Sequence, residues 1–112
     1  MYKLAIDDVV EVPVKFTIKS GRVIKPFTFT LTCTRLFDHD EITARLEEKE
    51  NKFKEFMAGL VTGWSGQRLV LDEAGQPVEF NDEALNAMLS VPGVAKQCYD
   101  AYMREVLAKE KN

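Results

Sequence analysis

Asp38-His39-Asp40 and the two cysteines, Cys33 and Cys98, are the residues whose types could do chemistry in this chain. The Asp-His-Asp run invites a metal reading, but adjacent residues at a helix start do not converge on one ion, and a metal site needs three or four convergent ligands. Both acids already have a favourable place at the positive end of a helix dipole. The run therefore reads as a solvated helix cap. His39 is the single histidine, so any Ser-His or Cys-His pair would have to use it. Nothing in the sequence around Cys33, Cys98 or Ser65 marks an activated nucleophile or an oxyanion hole. Gly59, Gly63 and Gly66 are spaced GxxxG and then GxxG, with no strand before them and no Lys-Ser/Thr after. The dinucleotide and phosphate-loop fingerprints both fail, and these glycines are expected to end a helix. No enzyme, metal or cofactor is expected. Each cysteine falls on the apolar face of its element, which makes both reduced, buried small hydrophobes. A disulfide framework would need more of them.

The elements that hold these residues are set by periodicity. From residue 10 to 20, Val10, Val12, Val14, Phe16 and Ile18 alternate with Glu11, Pro13, Lys15, Thr17 and Lys19. Period two means a strand with one wet face. Ser20-Gly21-Arg22 supplies a turn, with Gly21 free to take positive φ. The return strand covers 23–35, with Phe27, Phe29, Leu31 and Cys33 on one face and threonines on the other. The Phe27, Phe29 and Leu31 face is expected to be buried. Pro13 and Pro26 lack an N–H and belong on an open edge or at a bulge. A hairpin alone is marginal, so this one needs a third strand, a helix or a partner against its phenylalanine face.

Helical spacing follows. Asp38 and Glu41 form a capping-box pattern. Ile42, Leu46, Lys49, Phe53, Phe56 and Leu60 make one stripe, which predicts a helix over 39–61, about 33 Å long at 1.5 Å per residue. The charged stretch 47–52 in its middle is expected in solvent. Gly63 and Gly66 predict a loop around Trp64. Residues 68–71 and 77–80 read as short strands around a turn with Gly75 in the left-handed position. Asn81 caps a helix to Leu89, with Phe80 and Leu85 placed as a hydrophobic staple. Pro92 suits the first turn of a last helix, which carries Val94, Ala95, Cys98, Tyr102 and Val106 and frays into the charged tail 108–112. The fold class is α+β: an N-terminal antiparallel hairpin or small sheet packed with one long helix and two shorter C-terminal helices.

At 112 residues the chain reads as one domain, 1–112, able to bury roughly 65% of its extended surface. It is 46% hydrophobic and 29% charged, which fits neither disorder nor a fibrous repeat. A net charge of −3 gives no global field for nucleic acid or for an anionic membrane. The start carries acids where a signal peptide needs its apolar run, and no apolar stretch approaches the ~20 residues of a spanning helix. A cytosolic protein is expected. Lys15, Lys19, Arg22 and Lys25 gather at the hairpin tip, where they protect the edge and aid solubility.

That leaves binding. Phe53, Phe56, Met57 and Leu60 suit either a core or an adaptable apolar groove, because aromatic and thioether side chains serve both. Trp64 is either a core anchor or an interface anchor, as tryptophan is enriched at hot spots.

The stretch 56–103 resembles the tail assembly chaperones of long-tailed bacteriophages and prophages. The residues that carry the resemblance are Gly63-Trp64, the Gly75-Gln76-Pro77-Val78-Glu79-Phe80 segment after an acidic turn, the capped helix Asn81 to Leu89, the Pro92-Gly93 break, and Tyr99-Asp100-Ala101-Tyr102. The lysine- and threonine-rich hairpin also fits. The resemblance implies a non-enzymatic protein of the host bacterial cytoplasm, absent from the mature virion, that coats the helical tape measure protein before the tail tube forms. It implies that a frameshifted longer form engages the tail tube protein and that this chain is the short form. On that reading the partner face is Phe53, Phe56, Met57, Leu60 and Trp64, with homo-oligomerisation left open. Two other readings remain at this point: a small phage protein that binds and inhibits a host protein, and a structural tail or head-completion protein.

Overall fold

The computed structural model describes residues 5–36 and 52–107. Strands β1 (Val9–Ser20) and β2 (Val23–Thr34) form the expected antiparallel hairpin, paired from Val9↔Thr34 to Ser20↔Val23. The loop is two residues, Gly21 and Arg22. Gly21 has φ 62° and Arg22 is not in the positive-φ region, which selects the type II′ turn whose twist matches a hairpin. β1 shows strict burial alternation, with Val10, Val12, Val14 and Phe16 buried. On β2, Phe29, Leu31 and Cys33 are buried and Phe27 is half-buried.

The third strand is β3 (Val61–Ser65), antiparallel to β2, giving the order β1-β2-β3. Here the sequence reading is corrected. The helix expected to run to 61 ends at Ala58: α1 is Lys52–Ala58, and the expected 39–51 portion, with His39 and Asp40 and the expected cap Asp38 before it, lies outside the described residues. The end is made by the Gly59 N–H to the Glu55 carbonyl (3.2 Å) and a tightened Leu60 N–H to Met57 contact (3.0 Å). The Leu60 carbonyl then accepts from the Thr34 N–H at 2.9 Å, so the chain is already tied to the sheet. Gly63 and Trp64 lie on a strand rather than in a loop, opposite Thr32 and Leu31. β3 reaches only Thr30 to Cys33, with an irregularity at Thr32/Cys33. Pro26 lies in the part of β2 that β3 leaves open, and Pro13 on β1 at the sheet edge, so both prolines sit in strands with an open side.

The short strands expected at 68–71 and 77–80 reduce to one bridge, Leu71↔Pro77. Pro77 cannot donate to a ladder, and side chains take several of the backbone groups beside it, as described below. Helix α2 (Asp82–Leu89) begins where expected: Asn81 Oδ1 accepts the Ala84 N–H at 2.8 Å. Helix α3 (Val94–Val106) starts one residue after Gly93, which sits at φ 86° as its N-cap. Pro92 therefore precedes the helix rather than opening its first turn. The predicted tail 108–112 lies outside the described residues.

Among the described residues three helices pack on one face of the sheet, α3 against β1 and α1 against both α2 and α3. One core joins them, built from Val10, Val12, Val14 and Phe16 of β1 and Phe29, Leu31 and Cys33 of β2 with Phe56, Met57, Leu60, Leu85, Met88, Val94, Cys98, Ala101 and Tyr102. Lys15, Thr17 and Thr28 on the other face of the hairpin stay exposed. The α+β class holds.

Candidate functional site

The residue that organises the segment after β3 is Gln67, buried to 2% exposure between Gly66 and an apolar run. Its Nε2 donates to the carbonyls of Val70 (2.9 Å) and Val78 (3.0 Å), while its Oε1 accepts from the N–H groups of Leu69 (3.1 Å) and Val70 (2.8 Å). Every hydrogen-bonding position of the amide is used. Gln67 thus supplements the short ladder that remains, in which the Val78 N–H donates to the Val70 carbonyl (3.1 Å) and the Asp72 N–H to the Gln76 carbonyl (2.9 Å). Asp72 closes the far end of the loop, its Oδ1 accepting from Ala74 and Gln76, both at 2.9 Å, with Gly75 at φ 79°.

This loop is clamped to β3 by Trp64. The indole Nε1 donates to the Val78 carbonyl at 3.1 Å, and the ring meets Phe80 edge-on with centroids 5.3 Å apart. Both rings are half-buried. They line an open cleft of about 250 Å³ with Pro77, Val78 and Gln67. A second, larger groove of about 490 Å³ lies between the hairpin and the start of α3, bounded by Phe16, Ile18, Pro26, Pro92 and Val94, with Lys15 and Gln97 at its rim.

The five residues singled out as a partner face do not share one surface. Phe56, Met57 and Leu60 are buried in the common core, with Phe56 edge-on to Tyr99 and Tyr102. In this conformation they have no surface to offer a partner. Phe53 is half-buried; its ring meets Tyr99 at a tilt, with centroids 4.8 Å apart, and Lys96 Nζ sits 5.6 Å from its centre. Trp64, opposite the buried Leu31, packs against the edge of that core and lines the cleft. Phe80 and Gln67, which complete that cleft, were not picked from the sequence. The sequence marks Phe80 as a staple and as part of the resemblance but not as a contact residue, and no local pattern marks a glutamine as a buried hub.

Cys33 and Cys98 are both free and fully buried. Burial pushes each thiol up to about 12, and for Cys33 the neighbouring Cys98 and then Glu11 add to the rise. They are neutral at pH 7, and the thiolate is the nucleophilic form. Stability follows with a definite sign. The unfolded chain gives up these protons from about pH 9.0, and the native protein holds them to about 12. Above pH 9 the native state binds more protons than the unfolded one, so stability is full below that pH and falls as pH rises. The loss is at most about 1.4 kcal/mol per pH unit for each thiol. Thermal unfolding between pH 8 and 11 should therefore show a shallower decline in a Cys33→Ala/Cys98→Ala variant than in wild type. Parallel declines would remove the thiols from the alkaline transition.

Among the described residues no group of three histidine, cysteine or acidic side chains could hold a metal ion, and no helix is long and apolar enough to cross a membrane. Comparison with family models, curated proteins and solved structures gives no match to this chain.

Proposed function

We propose that this protein is a tail assembly chaperone of a long-tailed bacteriophage or prophage. It binds the tape measure protein in the host cytoplasm, and in an extended form the tail tube protein, and it catalyses no reaction. The observation that carries the reading is the half-exposed Trp64 in its aromatic cleft. Trp64, Pro77, Val78 and Phe80 belong to the segments that carry the sequence resemblance, and they converge on the same cleft. A large, partly exposed ring with its N–H already satisfied is the kind of anchor that an amphipathic helix can use. The partner face is thereby moved from Phe56, Met57 and Leu60 to Trp64 and Phe80.

Trp64 is the single tryptophan of the chain, so its emission reports on this site alone. Titration with helical tape measure fragments should shift Trp64 emission to the blue as the partner covers the ring, with saturation at the stoichiometry found by calorimetry. Saturable binding without any change in emission would place the interface elsewhere. No binding by any fragment would count against the chaperone reading, and a host protein or the virion itself would then be the place to look.

A further inference from the structure

Charge is divided between two parts of this chain. Between Glu11 and Arg35 stand four bases, Lys15, Lys19, Arg22 and Lys25, and no acid. Between Arg68 and Lys96 stand five acids, Asp72, Glu73, Glu79, Asp82 and Glu83, and no base. Every one of these side chains is exposed. The bases ride on the half of the hairpin that runs beyond β3, and the acids ride on the cleft loop and the first turn of α2. Each patch also holds exposed aliphatic surface: Val23 (59%) and Ile24 (65%) at the hairpin tip, and Leu71 (47%) beside Asp72. Apolar side chains ringed by charge of one sign are the usual make-up of a specific contact surface.

We propose that the basic hairpin arm docks against the acidic cleft loop of a second copy of this chain. The occupant follows from charge complementarity, because the surface that matches the arm is present on the same molecule. Two arms cannot pair with each other, since each brings four positive charges and like-charge contact is unfavourable. The contact is therefore heterologous, arm to loop. It leaves a free arm at one end and a free loop at the other, and it either closes a ring or extends. The arm is suited to the task in its backbone as well. Among the described residues β1 has no strand on its outer side, and β2 has none on its far side from Val23 to Phe29, so an incoming segment can add main-chain hydrogen bonds to the charge contacts. This inference is independent of the tail assembly role and can fail without it.

Two charge reversals test it. One variant carries Lys19→Glu, Arg22→Glu and Lys25→Glu. The other carries Glu73→Lys and Glu79→Lys, which spares the turn bonds of Asp72 and the acids at the start of α2. All five positions are exposed, so both variants should fold, as circular dichroism will check. Sedimentation velocity of the wild-type chain at low salt should show mass rising with concentration, and high salt should reverse it. Each variant alone should associate at least about tenfold more weakly. An equal mixture of the two should recover association as a pair, because the unaltered arm of the loop variant matches the unaltered loop of the arm variant. A wild-type chain that stays monomeric at low salt overturns the proposal. So does association that neither reversal weakens, or a mixture that does not recover. If the arm variant instead loses affinity for tape measure fragments while the wild type stays monomeric, the arm belongs to that partner and the proposal falls.

Discussion

Phe29→Asp is expected to abolish cooperative folding. Phe29 is 3% exposed on the helix-facing side of β2, opposite Val14, with its ring edge-on to Phe16 at 5.7 Å between centroids. A carboxylate there is set against Val14 and Phe16 in the apolar core. An unpaired buried charge costs several kcal/mol, against a total stability of roughly 5–15 kcal/mol for an ordinary domain. The loss of the ring adds about 3–5 kcal/mol. The neighbouring Thr28→Asp is the control. Thr28 lies one residue away on the exposed face, opposite Lys15, and a surface change of this kind stays within about 0.5 kcal/mol. Urea unfolding followed by near-ultraviolet circular dichroism should give a normal transition for Thr28→Asp and none for Phe29→Asp. A soluble Phe29→Asp protein with a sigmoidal transition near that of wild type would show that this face of β2 is not the core.

The contrast between those two neighbours is also why the hairpin was legible in the sequence. Period-two alternation with threonine on one face leaves one register in which the apolar set is buried. Helix α2 was legible for a local reason as well, since Asn81 satisfies its first turn by itself. β3 was not. GLVTGW has two glycines and no clear period, and what makes Val61–Ser65 a strand is the open edge of β2, a long-range partner that no window of sequence contains. The loop that follows is shortened in the same way: 68–71 and 77–80 look like strands, but Gln67 takes the Leu69 and Val70 N–H groups and the Val78 carbonyl, leaving a ladder of two backbone bonds. For the candidate site, an apolar stripe has the same composition whether it faces a core or a partner. Phe56, Met57 and Leu60 could be recognised as contact residues from their spacing, but only the tertiary fold decides that the contact is internal. Trp64 was found because its type is rare and its neighbours are glycines. Phe80 became visible only once the loop had folded back onto β3.

The cleft and the core are consequently joined through β3. Trp64 faces the cleft, Val61 on the same strand is buried, and Leu60 just before it holds the Thr34 N–H. Truncating Trp64 would cost stability through the lost Val78 bond and Phe80 contact as well as any affinity. That is the physical reason for reading the interface by emission of the native tryptophan rather than by deletion.

Tyr102 is expected to be the costliest aromatic to remove from the helical layer. It is fully buried on α3. Its hydroxyl donates to the Thr34 carbonyl and accepts from the Leu36 N–H, both at 2.9 Å. One side chain thus fastens the last helix to the end of β2, 68 residues earlier in the chain. Tyr102→Phe keeps the ring and its contact with Phe56 but strands a donor and an acceptor, for a loss of about 1–3 kcal/mol. Tyr102→Ala also opens a ring-sized cavity, and the loss should reach about 3–5 kcal/mol. The two variants separate hydrogen bonding from packing in urea unfolding. A local readout identifies the bond itself: amide exchange at Leu36 should accelerate in Tyr102→Phe, while exchange in the middle of the β1–β2 ladder should change only with global stability. If Leu36 exchange is unaltered and the midpoint of Tyr102→Phe matches wild type, the hydroxyl does not hold this end of the sheet. The attachment of α3 would then rest on the packing of Val94, Cys98 and Ala101 against β1 and β2.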